Sequence, residues 1–116
     1  MSFAIEPTND ARSVIIRIGQ GLDFRNAAEF KKVCHEQVQA GKHDFILDFT
    51  DAGILDSVGL GALFSLYRQV TPTSGQVLFA SVSPQVEVMV RLTKIYRVFP
   101  QYPTVASALE SLRGRP

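Results

Sequence analysis

Residues 44–70, DFILDFTDAGILDSVGLGALFSLYRQV, contain the two elements that decide the fold. Four of the first six residues are apolar, and three of these are consecutive, which predicts a strand buried on both faces of a sheet. After a loop, a helix is predicted from Ser57 to about Val70. Its apolar residues recur at the helical period, at Leu60, Leu63, Phe64, Tyr67 and Val70. A buried strand followed by an amphipathic helix indicates an α/β domain.

The rest of the chain continues this alternation of strands and helices. Further strands are predicted at 3–7, 13–18, 76–81 and 98–99, and further helices at 26–40, from Ser83-Pro84 onward, and at 104–112. Asn26 and Thr104 are expected to cap their helices. The order β-β-α-β-α-β-α-(β)-α predicts one domain over residues 1–113. It would have a mixed sheet of four or five strands and helices mainly on one face, followed by a disordered tail at 114–116.

Composition excludes several functional classes. The chain has 116 residues and a formal net charge of +1, without the basic excess typical of nucleic-acid binders. No apolar run approaches the roughly 20 residues of a membrane span, and the N-terminus lacks a signal-peptide pattern. A single cysteine, Cys34, suits a reducing compartment, so we expect a cytoplasmic protein.

The start of the helix at Ser57 has two interpretations. Serine is a preferred N-cap residue, so Ser57 could serve only to cap the helix. A helix N-terminus also accommodates a phosphate, because its free N–H groups and dipole favour negative charge. Ser57 is therefore also a candidate phosphorylation site, where a phosphate beside Asp56 would block the docking of an acidic or apolar partner.

Two glycines, Gly59 and Gly61, lie in the first turns of this helix. Glycine inside a helix costs about 0.5–1 kcal/mol relative to alanine, so its presence twice predicts close backbone approach. Either a partner or the protein's own packing could be what approaches.

The sequence lacks the patterns of a catalytic or metal site. Ser57 has Gly59 after it but Leu55 before it, so the G-x-S-x-G pattern of a hydrolase is incomplete. Cys34 and His35 would project about 100° apart on a helix, which makes them poor joint ligands. We predict no catalytic residues, no metal and no cofactor.

Several segments together resemble the STAS domain family, and most closely its free-standing bacterial anti-sigma factor antagonists. These segments are Gly21-Leu22-Asp23, Phe45-Ile46-Leu47-Asp48-Phe49, Leu55-Asp56-Ser57-Val58-Gly59-Leu60-Gly61, Gly75-Gln76-Val77-Leu78, Val82-Ser83-Pro84, Val98-Phe99 and Thr104-Val105-Ala106-Ser107-Ala108-Leu109. The resemblance covers nearly the whole chain.

The resemblance implies partner switching in transcription regulation and signal transduction. Such an antagonist binds an anti-sigma factor that is a serine kinase with a GHKL-type ATPase fold, is released when the kinase phosphorylates it, and is reset by a phosphatase. It is a non-enzymatic phosphoprotein. The implied docking residues are Asp23, Asp56, Ser57, Val58, Gly59, Leu60 and Gly61.

One residue departs from the family pattern. In many members the residue directly before the glycine carries the hydroxyl that accepts the phosphate, and here that residue is Val58. Either Ser57 is the acceptor, or the protein binds without being switched. The second reading fits an alternative function, as a non-phosphorylated STAS regulatory subunit of a larger complex such as a lipid-transport ATPase.

Overall fold

A computed structural model describes residues 3–114. Five strands form one sheet in the order β1-β2-β3-β4-β5. Strand β1 is antiparallel to β2, and the other neighbours are parallel, so the sheet is mixed as predicted. The strands are β1 (Ala4–Pro7), β2 (Ser13–Arg17), β3 (Asp44–Asp48), β4 (Gln76–Ala80) and β5 (Gln101–Tyr102).

Four α-helices cover the two faces of this sheet unequally. They are α1 (Ala27–Gln39), α2 (Ser57–Val70), α3 (Pro84–Thr93) and α4 (Val105–Arg113). Side chains of the first three helices share one large core, whereas α4 packs over the opposite face. The prediction of an α/β domain with helices mainly on one face is therefore confirmed.

Strand β3 is buried on both faces, as its nearly continuous apolar sequence predicted. Phe45 and Leu47 belong to the core beneath α1, α2 and α3, while Ile46 belongs to the smaller core beneath α4. Alternate residues of a strand point to opposite faces, so a strand between two helical layers needs apolar residues on both faces, as the three central residues of β3 provide.

The predicted strand at 98–99 is wrong. The chain forms a 3₁₀ turn at Ile95–Arg97, and the fifth strand follows at Gln101–Tyr102. Phe99 is fully buried and stacks on Phe79, with ring centroids 4.9 Å apart. The strand propensity of Phe99 is overridden by packing. Its side chain belongs to the core, and its backbone lies in the loop before β5.

The other predicted elements occur with small differences at their ends. Helix α2 has the predicted bounds, and Thr104 caps α4 through a reciprocal hydrogen-bonded pair with Ser107. Gly114 follows α4 directly, and the last two residues of the predicted tail, 115–116, lie outside the described residues. Within residues 3–114, the helices are all too short or too polar to cross a membrane.

Candidate functional site

Three loops meet where the parallel strands end. The carboxyl ends of β2, β3 and β4 lie at one edge of the sheet, the usual place for functional loops in α/β folds. A bridge between Leu22 and Leu55 joins the loop after β2 to the loop after β3. The Ser83 hydroxyl donates a hydrogen bond to the Ala52 carbonyl and so attaches the loop after β4. The start of α2 therefore lies next to three loops that are joined to one another by hydrogen bonds.

Asp56, and not Ser57, is the N-cap of α2. One carboxylate oxygen of Asp56 accepts the Gly59 N–H at 2.8 Å, which satisfies a free donor of the first turn. The other oxygen accepts the Phe24 N–H at 2.9 Å, from the loop after β2. The prediction that Ser57 could serve only as a cap is wrong because Asp56 occupies that position. Asp56 also ties two loops together.

Ser57 is the first residue of α2, and its side chain is exposed. Within residues 3–114 its hydroxyl makes no hydrogen bond, since the capping bonds are made by Asp56. A hydroxyl with no structural task at the N-terminus of a helix is accessible to a modifying enzyme, and the helix dipole favours a negative group there.

The two glycines of α2 have different surroundings. A Cβ atom built on Gly59 would lie 2.5 Å from the Leu22 carbonyl oxygen, so this glycine allows α2 to pack against the protein's own loop. A Cβ atom on Gly61 would meet nothing within 4 Å. Internal packing thus accounts for Gly59 but leaves Gly61, which is exposed, without an internal reason.

Asp23 is buried and holds its own loop together. Its carboxylate accepts the backbone N–H of Arg25 at 2.9 Å and pairs with the Arg25 guanidinium at 2.7 Å. The hydrogen bond from the Arg25 side chain is the main reason that the pKa of Asp23 lies below its usual value. Asp23 therefore supports the neighbouring surface from beneath and is not itself exposed to a partner.

Asn26 stands at the N-cap position of α1 but makes no capping bond with its side chain. Its amide instead accepts the Asp23 N–H at 3.0 Å and donates to the Gly21 carbonyl at 2.9 Å. Asn26 thus does not cap α1 as expected. Its side chain instead stabilises the segment that contains Phe24.

Exposed apolar side chains lie on the segments that meet at the start of α2, and sequence reasoning missed two of them. Phe24 is 70% exposed, Ile54 43% and Val58 50%. The Asp56 carboxylate and the Leu22 N–H, which donates to the Ile54 carbonyl, hold their segments side by side. We call Phe24, Ile54, Ser57, Val58 and Gly61 the docking face. An apolar Phe24 between charged Asp23 and Arg25, outside any periodic element, was the available signal.

The remaining predicted docking residue, Leu60, is half-buried and packs against the main core. It anchors α2 to the protein while Val58 and Gly61 remain on the outside. The predicted site residues 56–61 thus divide into those that fix the helix and those that are accessible to a partner.

Other titratable residues have ordinary structural roles. Asp48 accepts the backbone N–H of Thr50 at 3.0 Å and is a turn residue. Cys34 is fully buried, and this burial raises the pKa of its thiol, which makes it unreactive. No group of three or more potential metal-ligating side chains comes together in the part of the chain that the structure describes.

Comparison with known proteins gives one consistent family. The family model of the STAS domain matches residues 3–108. A candidate anti-sigma factor antagonist of Thermotoga neapolitana is 33% identical over 105 residues, which are 88% of this chain and 91% of that protein.

Solved structures agree with this match. The crystal structure of a candidate anti-sigma factor antagonist from Thermotoga maritima superposes with a TM-score of 0.88 and 25% identity, over 96% of this chain and 94% of that one. The antagonist SpoIIAA in its unphosphorylated form superposes with a TM-score of 0.82 and 21% identity, over 98% of both chains. Its phosphorylated form, from Bacillus, gives 0.74 and 19%, over 96% and 99%. This chain belongs to the STAS domain family and is similar to its free-standing anti-sigma factor antagonists.

Proposed function

We propose that this protein is an anti-sigma factor antagonist that acts by partner switching. In its unphosphorylated form it binds a serine kinase of the GHKL ATPase type through the docking face, and thereby frees a sigma factor or another client. The observation that carries the proposal is the exposed, unbonded Ser57 hydroxyl beside exposed Val58, at a helix start that the Asp56 carboxylate ties to exposed Phe24.

The docking face has the composition of a binding surface. Three large apolar side chains lie exposed around the start of α2, where a solvated helix end would carry polar residues. Aromatic anchors such as Phe24 are enriched in protein interfaces. The hydrogen bonds of Asp56 and Asn26 fix the backbone beneath these side chains, so little conformational entropy is lost on binding.

Gly61 supports the same role. Because nothing in the protein occupies the space beside it, the backbone of a partner can approach α2 closely at this point. Helix stability is reduced by a glycine in this position, and contact with a partner supplies a reason for retaining it.

Phosphorylation of Ser57 would end this docking. A phosphate adds about 1.5–2 negative charges at pH 7, and these charges would stand beside the exposed Val58 of the docking face. The carboxylate of Asp56 already occupies the Gly59 N–H, so the phosphate would be repelled by it and face outward. SpoIIAA has been solved in phosphorylated and unphosphorylated forms. We propose that this chain likewise exists in both forms.

Val58 makes Ser57 the only acceptor that this segment offers. The two side chains project about 100° apart on the helix, and both are exposed. We propose that the kinase transfers the phosphoryl group to Ser57, that Val58 contributes apolar contact in place of the usual hydroxyl, and that a phosphatase resets the protein in the cytoplasm.

Intact-mass measurement tests the switch. The purified protein is incubated with ATP and each GHKL-type serine kinase of the same organism, beside the variants Ser57→Ala and Val58→Ser. We expect wild type to gain the mass of one phosphoryl group, Ser57→Ala to gain none, and both to bind the kinase before ATP is added. An unmodified wild type that still binds would remove the switch and leave the docking role. Absence of binding to every kinase would contradict the antagonist function.

The missing hydroxyl at residue 58 also favours a second candidate, a STAS regulatory subunit that is never phosphorylated. In that case the docking face would bind a larger assembly such as a lipid-transport ATPase. Co-purification with an ATPase subunit, and with no GHKL-type kinase, would support this function over the first.

A further inference from the structure

A second exposed apolar surface lies on α3, separate in sequence from the docking face. Val88 is 58% exposed, Leu92 76% and Tyr96 45%. Val88 and Leu92 are four residues apart and share one side of the helix, and Tyr96 follows in the 3₁₀ turn. Val86 and Val90, on the other side of α3, are fully buried. The buried residues attach α3 to the core, so the exposed apolar residues are not needed for that attachment.

The charges around this surface are mostly positive. Arg91, Lys94 and Arg97 are exposed beside the apolar side chains. Glu87 is the one acidic residue of α3, and its carboxylate pairs with Arg91 at 2.9 Å. Lys94 and Arg97 remain as the net positive charge at the carboxyl end of the apolar stripe.

A shallow groove of about 410 Å³ runs between α3 and the edge strand β5. Tyr96, Arg91 and Gln101 line it. The side-chain oxygen of Gln101 is buried there and accepts no hydrogen bond within the described residues, although its amide nitrogen donates to the Phe99 carbonyl. This oxygen has no exposed surface, so what the groove offers an occupant is the Tyr96 ring and the Arg91 side chain.

We propose that Val88, Leu92 and Tyr96, with Lys94 and Arg97 at their edge, form a docking surface for an acidic amphipathic helix of a partner protein. A helix lying along α3 presents apolar anchors at the same spacing as Val88 and Leu92. Its acidic flank complements the exposed Lys94 and Arg97.

Two other occupants fit the same surface less well. Binding to an anionic membrane requires clusters of roughly four to eight basic residues, whereas this surface has three, and Arg91 is neutralised by Glu87. A second copy of the chain would bring Lys94 and Arg97 against a surface with the same excess of positive charge.

Peptide binding measured by fluorescence polarisation tests this surface. The probes are two labelled synthetic helices with leucine at every fourth residue, one with glutamate and one with lysine at the flanking positions. We expect the acidic helix to bind about tenfold more tightly than the basic one, and added salt to weaken it. Leu92 is largely exposed, so Leu92→Gln should leave the fold intact, and we expect it to weaken binding of the acidic peptide about tenfold. Arg97→Gln is expected to reduce the preference for the acidic peptide over the basic one.

Phe24→Gln is the matched control, since it removes an exposed apolar side chain from the docking face, and we expect it to leave peptide binding unchanged. Circular dichroism establishes that each variant is folded. Equal binding of both peptides, or no effect of Leu92→Gln, would overturn the proposal. It would equally be overturned if wild type bound phosphatidylglycerol vesicles in place of the peptide, or if it sedimented as a dimer that Leu92→Gln dissociates.

Discussion

At the scale of single residues, Gly59 and Gly61 show how one residue type serves two purposes within a single helical turn. Gly59 is buried against the Leu22 carbonyl, and Gly61 is exposed with free space beside it. The first is required for folding. The second lowers the intrinsic stability of α2 and, in our account, serves the contact with a partner.

A matched pair of substitutions separates these two purposes. Gly59→Ala is expected to lower the free energy of unfolding by about 1–3 kcal/mol, because its methyl group overlaps the Leu22 carbonyl oxygen. Gly61→Ala is expected to raise it by about 0.5–1 kcal/mol through better helix propensity. Urea denaturation measures both. Equal effects of the two substitutions would show that the space beside Gly61 is not free.

The sequence identified this turn but could not assign its residues. Asp56 and Ser57 are both good N-cap residues, and local propensity does not decide between them. The choice depends on Phe24, whose N–H reaches the second Asp56 oxygen from a segment 32 residues away in sequence. For the same reason, exposure of Phe24 and Ile54 could not be predicted, because it depends on which loops the sheet brings together.

At the scale of elements, the segment 21–26 is a short loop organised by side chains. The carboxylate of Asp23 accepts hydrogen bonds from the backbone and side chain of Arg25, and the Asn26 amide bonds to the Gly21 carbonyl and the Asp23 N–H. Phe24 is held outward by these bonds. The loop thus holds Phe24, one residue of the docking face, in a fixed position.

The interaction of Asp23 with Arg25 in this loop should weaken in acid. The pKa of Asp23 is lowered in the folded protein from its usual 3.8, chiefly by the side-chain hydrogen bond from Arg25. A lowered pKa stabilises the fold above the unfolded value, and this stabilisation disappears as the pH falls through the folded value.

Asp23→Asn is therefore expected to be less stable than wild type at pH 7, with a difference that shrinks as the pH falls below 3.8. Denaturation midpoints of both proteins from pH 7 to pH 3 measure it. A difference that is constant over this range would exclude the ion pair as its cause.

Strands and helices with strong periodicity were predictable, and the exception is informative. Helix α2 has its predicted bounds because its apolar residues follow the helical period without interruption. The two residues Val98 and Phe99 carry no periodicity, so only their propensity was available. Phe99 lies instead between Phe79 and the aromatic residues of α2, a tertiary environment that local sequence does not encode.

At the scale of the whole molecule, the fold places three loops at the carboxyl edge of the parallel strands and builds the docking face on them. The second surface, on α3, lies on a different element. A protein of 116 residues can therefore present two apolar surfaces on different helices, one that carries Ser57 and one that Lys94 and Arg97 flank.

We propose that the kinase contacts the start of α2, and a pair of matched substitutions distinguishes this surface from the one on α3. Val58 and Val88 are exposed to similar extents on different helices, at 50% and 58%. Isothermal titration of a GHKL-type kinase that binds wild type is carried out against Val58→Asp and Val88→Asp. Our account predicts that Val58→Asp weakens binding at least about a hundredfold, since it places a charge in the apolar docking face, and that Val88→Asp binds as wild type does. Undiminished binding by Val58→Asp would contradict the account.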